Sequence, residues 1–207
     1  MNSSLIKSLV IAGLVLATVG AWLTARNALH TPQPPGTLKT VTEFTEGNPM
    51  PAFRLNGPKG AFTNADLAGK WSFIFFGYTQ CPDVCPTALS LMKGLKSAVP
   101  PAPTWQVVFV SVDPQRDTRE LLDQYMAAFD PAFIGLNGDD AALQPLLKDL
   151  GVFSRRNDEK EKQHYTVDHS AGIYLLDPQG RLAAVFSAPQ ELGAMTADFQ
   201  RIVKARS

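Results

Sequence analysis

Residues Trp71 to Tyr78 read WSFIFFGY, a nearly continuous apolar and aromatic run. A run without polar alternation is the pattern of a strand covered on both faces. WQVVFVSV at 105–112 repeats it. Between the two, Pro86 to Ala98 reads as a helix, stopped by Pro100 and Pro101. AFRL at 52–55 and FIGL at 133–136 are shorter strand candidates. From Thr118 to Phe129 the residues Leu121, Leu122, Tyr125, Met126 and Phe129 share one helical face. Residues 139–150 also read as a helix, ending at Gly151, although Pro145 predicts a kink or a split. IYLLD and RLAAVFS flank the turn DPQG, a hairpin signal with proline at the first central position. A last helix is expected from Pro189 to Ala205. This order fits an α/β domain with a mixed sheet flanked by helices, and the thioredoxin arrangement matches it.

The N-terminus has a different character. Residues 8–25 carry no charge, at the lower limit for spanning a bilayer, with Lys7 before them and Arg26 after. A cleaved signal peptide is the competing reading. An uncleaved transmembrane helix is favoured, because the run exceeds a usual signal core and lacks a clear A-x-A site. Either way the remaining chain lies outside the cytoplasm. Without an Arg- and Ser-rich transit peptide, a bacterial inner membrane with the domain in the periplasm is the expected location. TPQPPG at 31–36 favours an extended linker, and His30 beside it reads as solvated. The expected division is therefore an anchor at 1–26, a linker at 27–47 and a folded domain at 48–207. With 19 Lys+Arg against 19 Asp+Glu, no basic excess points to nucleic acid.

The chain has two cysteines, Cys81 and Cys85, in GYTQCPDVCPTAL. The motif follows a buried strand and opens a helix. A helix N-terminus carries unpaired N–H groups and partial positive charge, and both favour thiolate over thiol. Thioredoxin-type catalysts have two residues between their cysteines, where this chain has Pro82, Asp83 and Val84. The sulfurs face one side if both lie on a regular helix, and still converge in a looser loop-to-helix turn. The pair can close a disulfide or present two thiolates to one soft metal ion. Two cysteines alone make neither a closed zinc site nor an iron–sulfur site, and soft thiolates select Cu(I). A plain structural disulfide is the bland alternative.

A third ligand must come from elsewhere. His164 and His169 in QHYTVDHSAGIYLLD are the candidates. His169 is preferred, because it precedes a strand expected opposite the cysteine helix, whereas His164 follows the charged run NDEKEKQ. Asp168 is a candidate to orient the loop or a neighbouring ring. In SVDPQRDT at 111–118, Asp113 and Asp117 are expected to cap the following helix. Support of the metal loop by Asp113 ranks below that.

Together, GKWSFIFFGYTQCPDVCPTAL, SVDPQRDT and YTVDHSAGIYLLDPQG resemble the Sco/SenC copper-chaperone family, from about Asn48 to the C-terminus. The resemblance implies a thioredoxin-like fold and one copper ion held by Cys81, Cys85 and His169. It implies a role in assembling the CuA centre of cytochrome c oxidase, by delivering copper to the CuA-bearing subunit or by reducing its cysteines. Another periplasmic copper chaperone or a thiol reductase is a further implied partner. Gln80 departs from the pattern, since many relatives have histidine there. General thioredoxin-like oxidoreductases place a cis-proline where this chain has DHSAG, which favours a metal site. The alternative is a thiol–disulfide reductase using Cys81 and Cys85 as a redox-active pair. A peroxidase reading ranks last, because the motif lacks a threonine–cysteine pattern.

Overall fold

The structure is a computed structural model describing residues 18–22, 40–99, 104–157 and 165–206. It divides into two units, Met1–Leu38 and Lys39–Ser207. In the first, residues 18–22 are helical, with Val19 and Trp22 exposed. The rest of the expected 8–25 span, together with His30 and His164, lies outside the described residues. Among the described residues no helix is long and apolar enough to cross a membrane.

The second unit begins with β1 (Val41–Glu43), the hairpin strands β2 (Arg54–Gly57) and β3 (Gly60–Thr63), and β4 (Trp71–Gly77). Then come α1 (Val84–Ala98), β5 (Trp105–Ser111), α2 (Arg119–Phe129), β6 (Ile134–Leu136) and α3 (Asp140–Asp149). The chain closes with β7 (Ser154–Arg156), β8 (Val167–His169), β9 (Ile173–Leu176), β10 (Leu182–Phe186) and α4 (Leu192–Ala205).

The main sheet runs β1-β10-β9-β4-β5-β6. The strands β4, β5 and β6 are parallel, while β9, β10 and β1 pair antiparallel. This is the mixed sheet the sequence predicts. Every residue of β4 is buried, as its unbroken apolar run requires. Trp71 and Phe73 pack edge-on against Phe199 of α4, and Gly77 on the same face lies against Cys85 of α1. On the opposite face Phe76 meets Tyr174 of β9. The two strands β7 and β8 form a separate ribbon outside this sheet.

Three details differ from expectation. Strand β1 lies inside the predicted linker and pairs with β10, so the compact unit starts at Lys39 rather than Asn48. A three-residue edge strand has too little apolar periodicity to show in sequence. Pro145 does not split α3, which runs through it. The proline and Ala141 are on the exposed face, where the carbonyl that loses its donor is open to solvent. The AFRL strand begins later, at Arg54.

Candidate metal centre

Strand β4 delivers the chain at Gly77 into a short loop before α1. Cys81 N–H donates to the Tyr78 carbonyl at 3.2 Å, closing a turn, and α1 starts at Val84. Cys81 thus precedes the helix while Cys85 lies in its first turn. The sulfurs converge across a loop-to-helix turn, not along one helix face, and both cysteines are free and buried. Gly77 makes room for this. A Cβ there would lie 2.6 Å from Cys85 Sγ and 2.9 Å from the Phe109 ring.

The α1 N-terminus has no side-chain cap. The backbone N–H groups of Asp83 and Cys85 instead hydrogen-bond the Cys81 sulfur. Cys81 is lowered to about 3, first by its hydrogen bond with Cys85, against burial, with the two N–H groups adding to the effect. Cys85 is pushed far up, first by that same hydrogen bond and then by burial. In the metal-free reduced pair these effects favour negative charge at Cys81 and the proton at the more deeply buried Cys85.

His169 ends β8, whose ribbon partner β7 places Ser154 opposite it. Its Nε2 lies 3.5 Å from Cys85 Sγ. Its Nδ1 is 3.0 Å from the Ser170 carbonyl oxygen. A carbonyl only accepts, so the neutral ring carries its proton on Nδ1 and turns the Nε2 lone pair toward the sulfurs. Phe75 and Tyr78 hold the ring edge-to-face, with centroids 6.0 and 5.8 Å away. The three ligand atoms of Cys81, Cys85 and His169 all lie within 4.8 Å of one another. Donors sharing one ion at zinc-like bond lengths stand about 3.5–4 Å apart. A small contraction would therefore close them on a metal, and two sulfurs with one imidazole suit copper.

Two buried aspartates support the loops, and neither caps α2. That task falls to Thr118, whose side chain accepts from Leu121 N–H. A buried hydrogen-bonding role and a cap look alike in sequence, since both need only a short acceptor near a helix start. Asp117 accepts from the Thr79 backbone N–H at 3.1 Å, Thr79 Oγ1 at 2.6 Å and Ser111 Oγ at 2.6 Å. It thereby ties the cysteine loop to the end of β5. Burial pushes its carboxyl above the usual range against those hydrogen bonds. Asp113 accepts from Tyr165 Oη and from Arg116 Nε, both at 2.5 Å. The supporting role ranked second for Asp113 is thus the one it occupies. Asp168 does not orient the His169 ring, because it is exposed beside Arg155 at 3.5 Å. The Ser170 carbonyl does that instead. Gln80 accepts from Arg116 Nη1 at 3.1 Å.

The sequence matches the family described as SCO1/SenC over residues 43–204. The chain belongs to the SCO1/SenC family. An SCO2-like protein of Rickettsia prowazekii is 35% identical over 191 residues, covering 87% of this chain and 89% of the relative. The structure of Bradyrhizobium japonicum ScoI with copper bound is 37% identical with a TM-score of 0.65, covering 75% of this chain and 98% of that one. Apo Sco1 from Thermus thermophilus gives a TM-score of 0.72 at 35% identity, covering 79% and 96%. This SCO1/SenC protein shares their α/β mixed-sheet fold. Sequence reasoning found its two cysteines and His169 but not Gly77, Tyr78, Arg116 or Tyr165. Arg116 lay in a motif already singled out, whereas nothing in the sequence pairs Tyr165 with Asp113.

Two outcomes follow from this geometry. Gly77→Ala should destabilise the domain by roughly 1–3 kcal/mol through overpacking, read by urea unfolding, and should displace Cys85. Unchanged stability would show that the close approach is absent. In the reduced protein, iodoacetamide should alkylate Cys81 before Cys85. Because Cys81 is lowered to about 3, its rate should stay nearly flat from about pH 8 to about pH 5. A tenfold fall per pH unit across that range would contradict the thiolate assignment.

Proposed function

We propose that this protein is a membrane-anchored copper chaperone that assists assembly of the CuA centre of cytochrome c oxidase. The observation that carries the proposal is the convergence of two sulfurs and one imidazole, whose Nδ1 lies against the Ser170 carbonyl, around a single point. Two thiolates suit Cu(I), and the imidazole extends the site to Cu(II). Binding displaces the proton that Cys85 holds, so metal capture and proton release are linked. Copper leaves by ligand exchange with cysteines of a CuA-bearing subunit, and oxidation of Cys81 and Cys85 to a disulfide abolishes binding. Copper bound in the Bradyrhizobium japonicum relative supports this reading. The uncharged run at 8–25 supports a single-pass anchor in a bacterial inner membrane, with the folded unit in the periplasm. Another periplasmic copper chaperone or a thiol reductase would load or reset the site.

The lowered Cys81 thiol favours a second reading, a thiol–disulfide reductase. Cys81 thiolate would attack a partner disulfide to give a mixed disulfide and release one partner thiol. Cys85, giving up its proton, would then displace the second, leaving a Cys81–Cys85 disulfide and a partner reduced by two electrons.

Competition titration against a Cu(I) chelator separates the two. The reduced protein should bind about one copper, and His169→Ala should weaken it at least about 100-fold, roughly 2.7 kcal/mol. Unchanged copper affinity in that variant, with disulfide reduction intact, would move the assignment to the reductase.

A further inference from the structure

The His169 ribbon has little to hold it in place by itself. Strands β7 and β8 form three residue pairs outside the main sheet. An isolated two-stranded ribbon is marginal in water. The position of His169 therefore depends on contacts between the ribbon and the rest of the domain, and Arg116 takes part in several of them.

Arg116 belongs to the turn after β5, and its side chain is only 12% exposed. Its Nε donates to Asp113 Oδ2 at 2.5 Å within that turn. Its Nη1 donates to Gln80 Oε1 at 3.1 Å, in the loop that carries Cys81. The same Nη1 donates to the Tyr165 carbonyl at 2.9 Å, two residues before β8. The guanidinium carbon lies 3.6 Å from the Tyr165 ring centroid and 5.6 Å from that of Tyr78. Tyr165 in turn donates its hydroxyl to Asp113, and the Tyr78 hydroxyl lies near the Val167 backbone of β8. An arginine that only closed its own turn would need no partner beyond Asp113. This one reaches segments 36 and 49 residues away.

We infer that Arg116 is a positioning residue for the metal centre: it clamps the His169 ribbon to the cysteine loop and so keeps the imidazole within reach of the two sulfurs. The planar fork is what the task needs. Divergent donors hold three acceptors while the flat face packs on tyrosine rings. A lysine ammonium at the same place keeps a positive charge beside Asp113, but it has neither the fork nor the face. Arg116 touches no ligand atom, and the effect on copper inferred for it is the placing of His169. The inference rests on the copper-site reading above, and the experiment keeps the two apart.

Copper affinity is measured by chelator competition for the full-length protein, Arg116→Ala, His169→Ala and the double variant. Arg116→Ala should lose about 10- to 100-fold, the usual range for a group supporting a ligand. In the His169→Ala background the same change should cost no more than about twofold, because the ligand it positions is gone. Equal losses in both backgrounds would overturn the inference. The metal-free reduced protein gives a second readout: cross-relaxation between the His169 and Tyr78 rings, whose centroids are 5.8 Å apart. It should be present in the parent protein and lost in Arg116→Ala, and its persistence would also overturn the inference. Removing Arg116 leaves Asp113 buried without its cation. If the alanine variant does not fold, Arg116→Lys decides by the same two readouts with the same directions. Absence of copper binding in the parent protein would sink the copper reading but leave the clamp to be judged on the ring contact.

Discussion

Cys85 Sγ and His169 Nε2 stand 3.5 Å apart with 84 residues of sequence separation between them. The three-ligand cluster of Cys81, Cys85 and His169 depends on holding that approach. One side of it is rigid. Cys85 is fully buried in the first turn of α1, pressed against a glycine that ends the central strand. The other side is a short ribbon that belongs to no large sheet. The fold thus sets an imidazole on a lightly built element against sulfurs on a heavily built one, a division that would suit the capture and transfer proposed above.

The electrostatics of the pair follow from the same placement. The uncapped start of α1 aims backbone N–H groups at Cys81, while Cys85 sits deeper, where burial favours its thiol form. A helix N-terminus stabilises negative charge beside it. Negative charge is therefore favoured on the sulfur nearer the helix start, the one better placed as a nucleophile or ligand, over the deeper one. This asymmetry serves metal capture and thiol exchange equally well, so His169 is the group that distinguishes them.

Much of this arrangement was legible in the sequence. The unbroken apolar runs of β4 and β5 announced buried strands, and DPQG announced the hairpin of β9 and β10. Cys81, Cys85 and His169 stood out because few residue types carry that chemistry. What could not be read was whatever depends on long-range pairing of polar groups. Strands β1, β7 and β8 have three residues each and no apolar alternation. Asp113 and Asp117 look like helix caps until their partners Tyr165, Thr79 and Ser111 are seen. Asp168 sits beside His169 in sequence, yet it points to solvent because neighbours along a strand face opposite ways.

The most direct test is X-ray absorption at the copper edge on reduced protein loaded with one equivalent of copper. The account predicts two sulfur neighbours and one imidazole nitrogen donor per copper, with the imidazole signature lost in His169→Ala. Copper surrounded by sulfur alone, or an imidazole signal that survives that substitution, would contradict it.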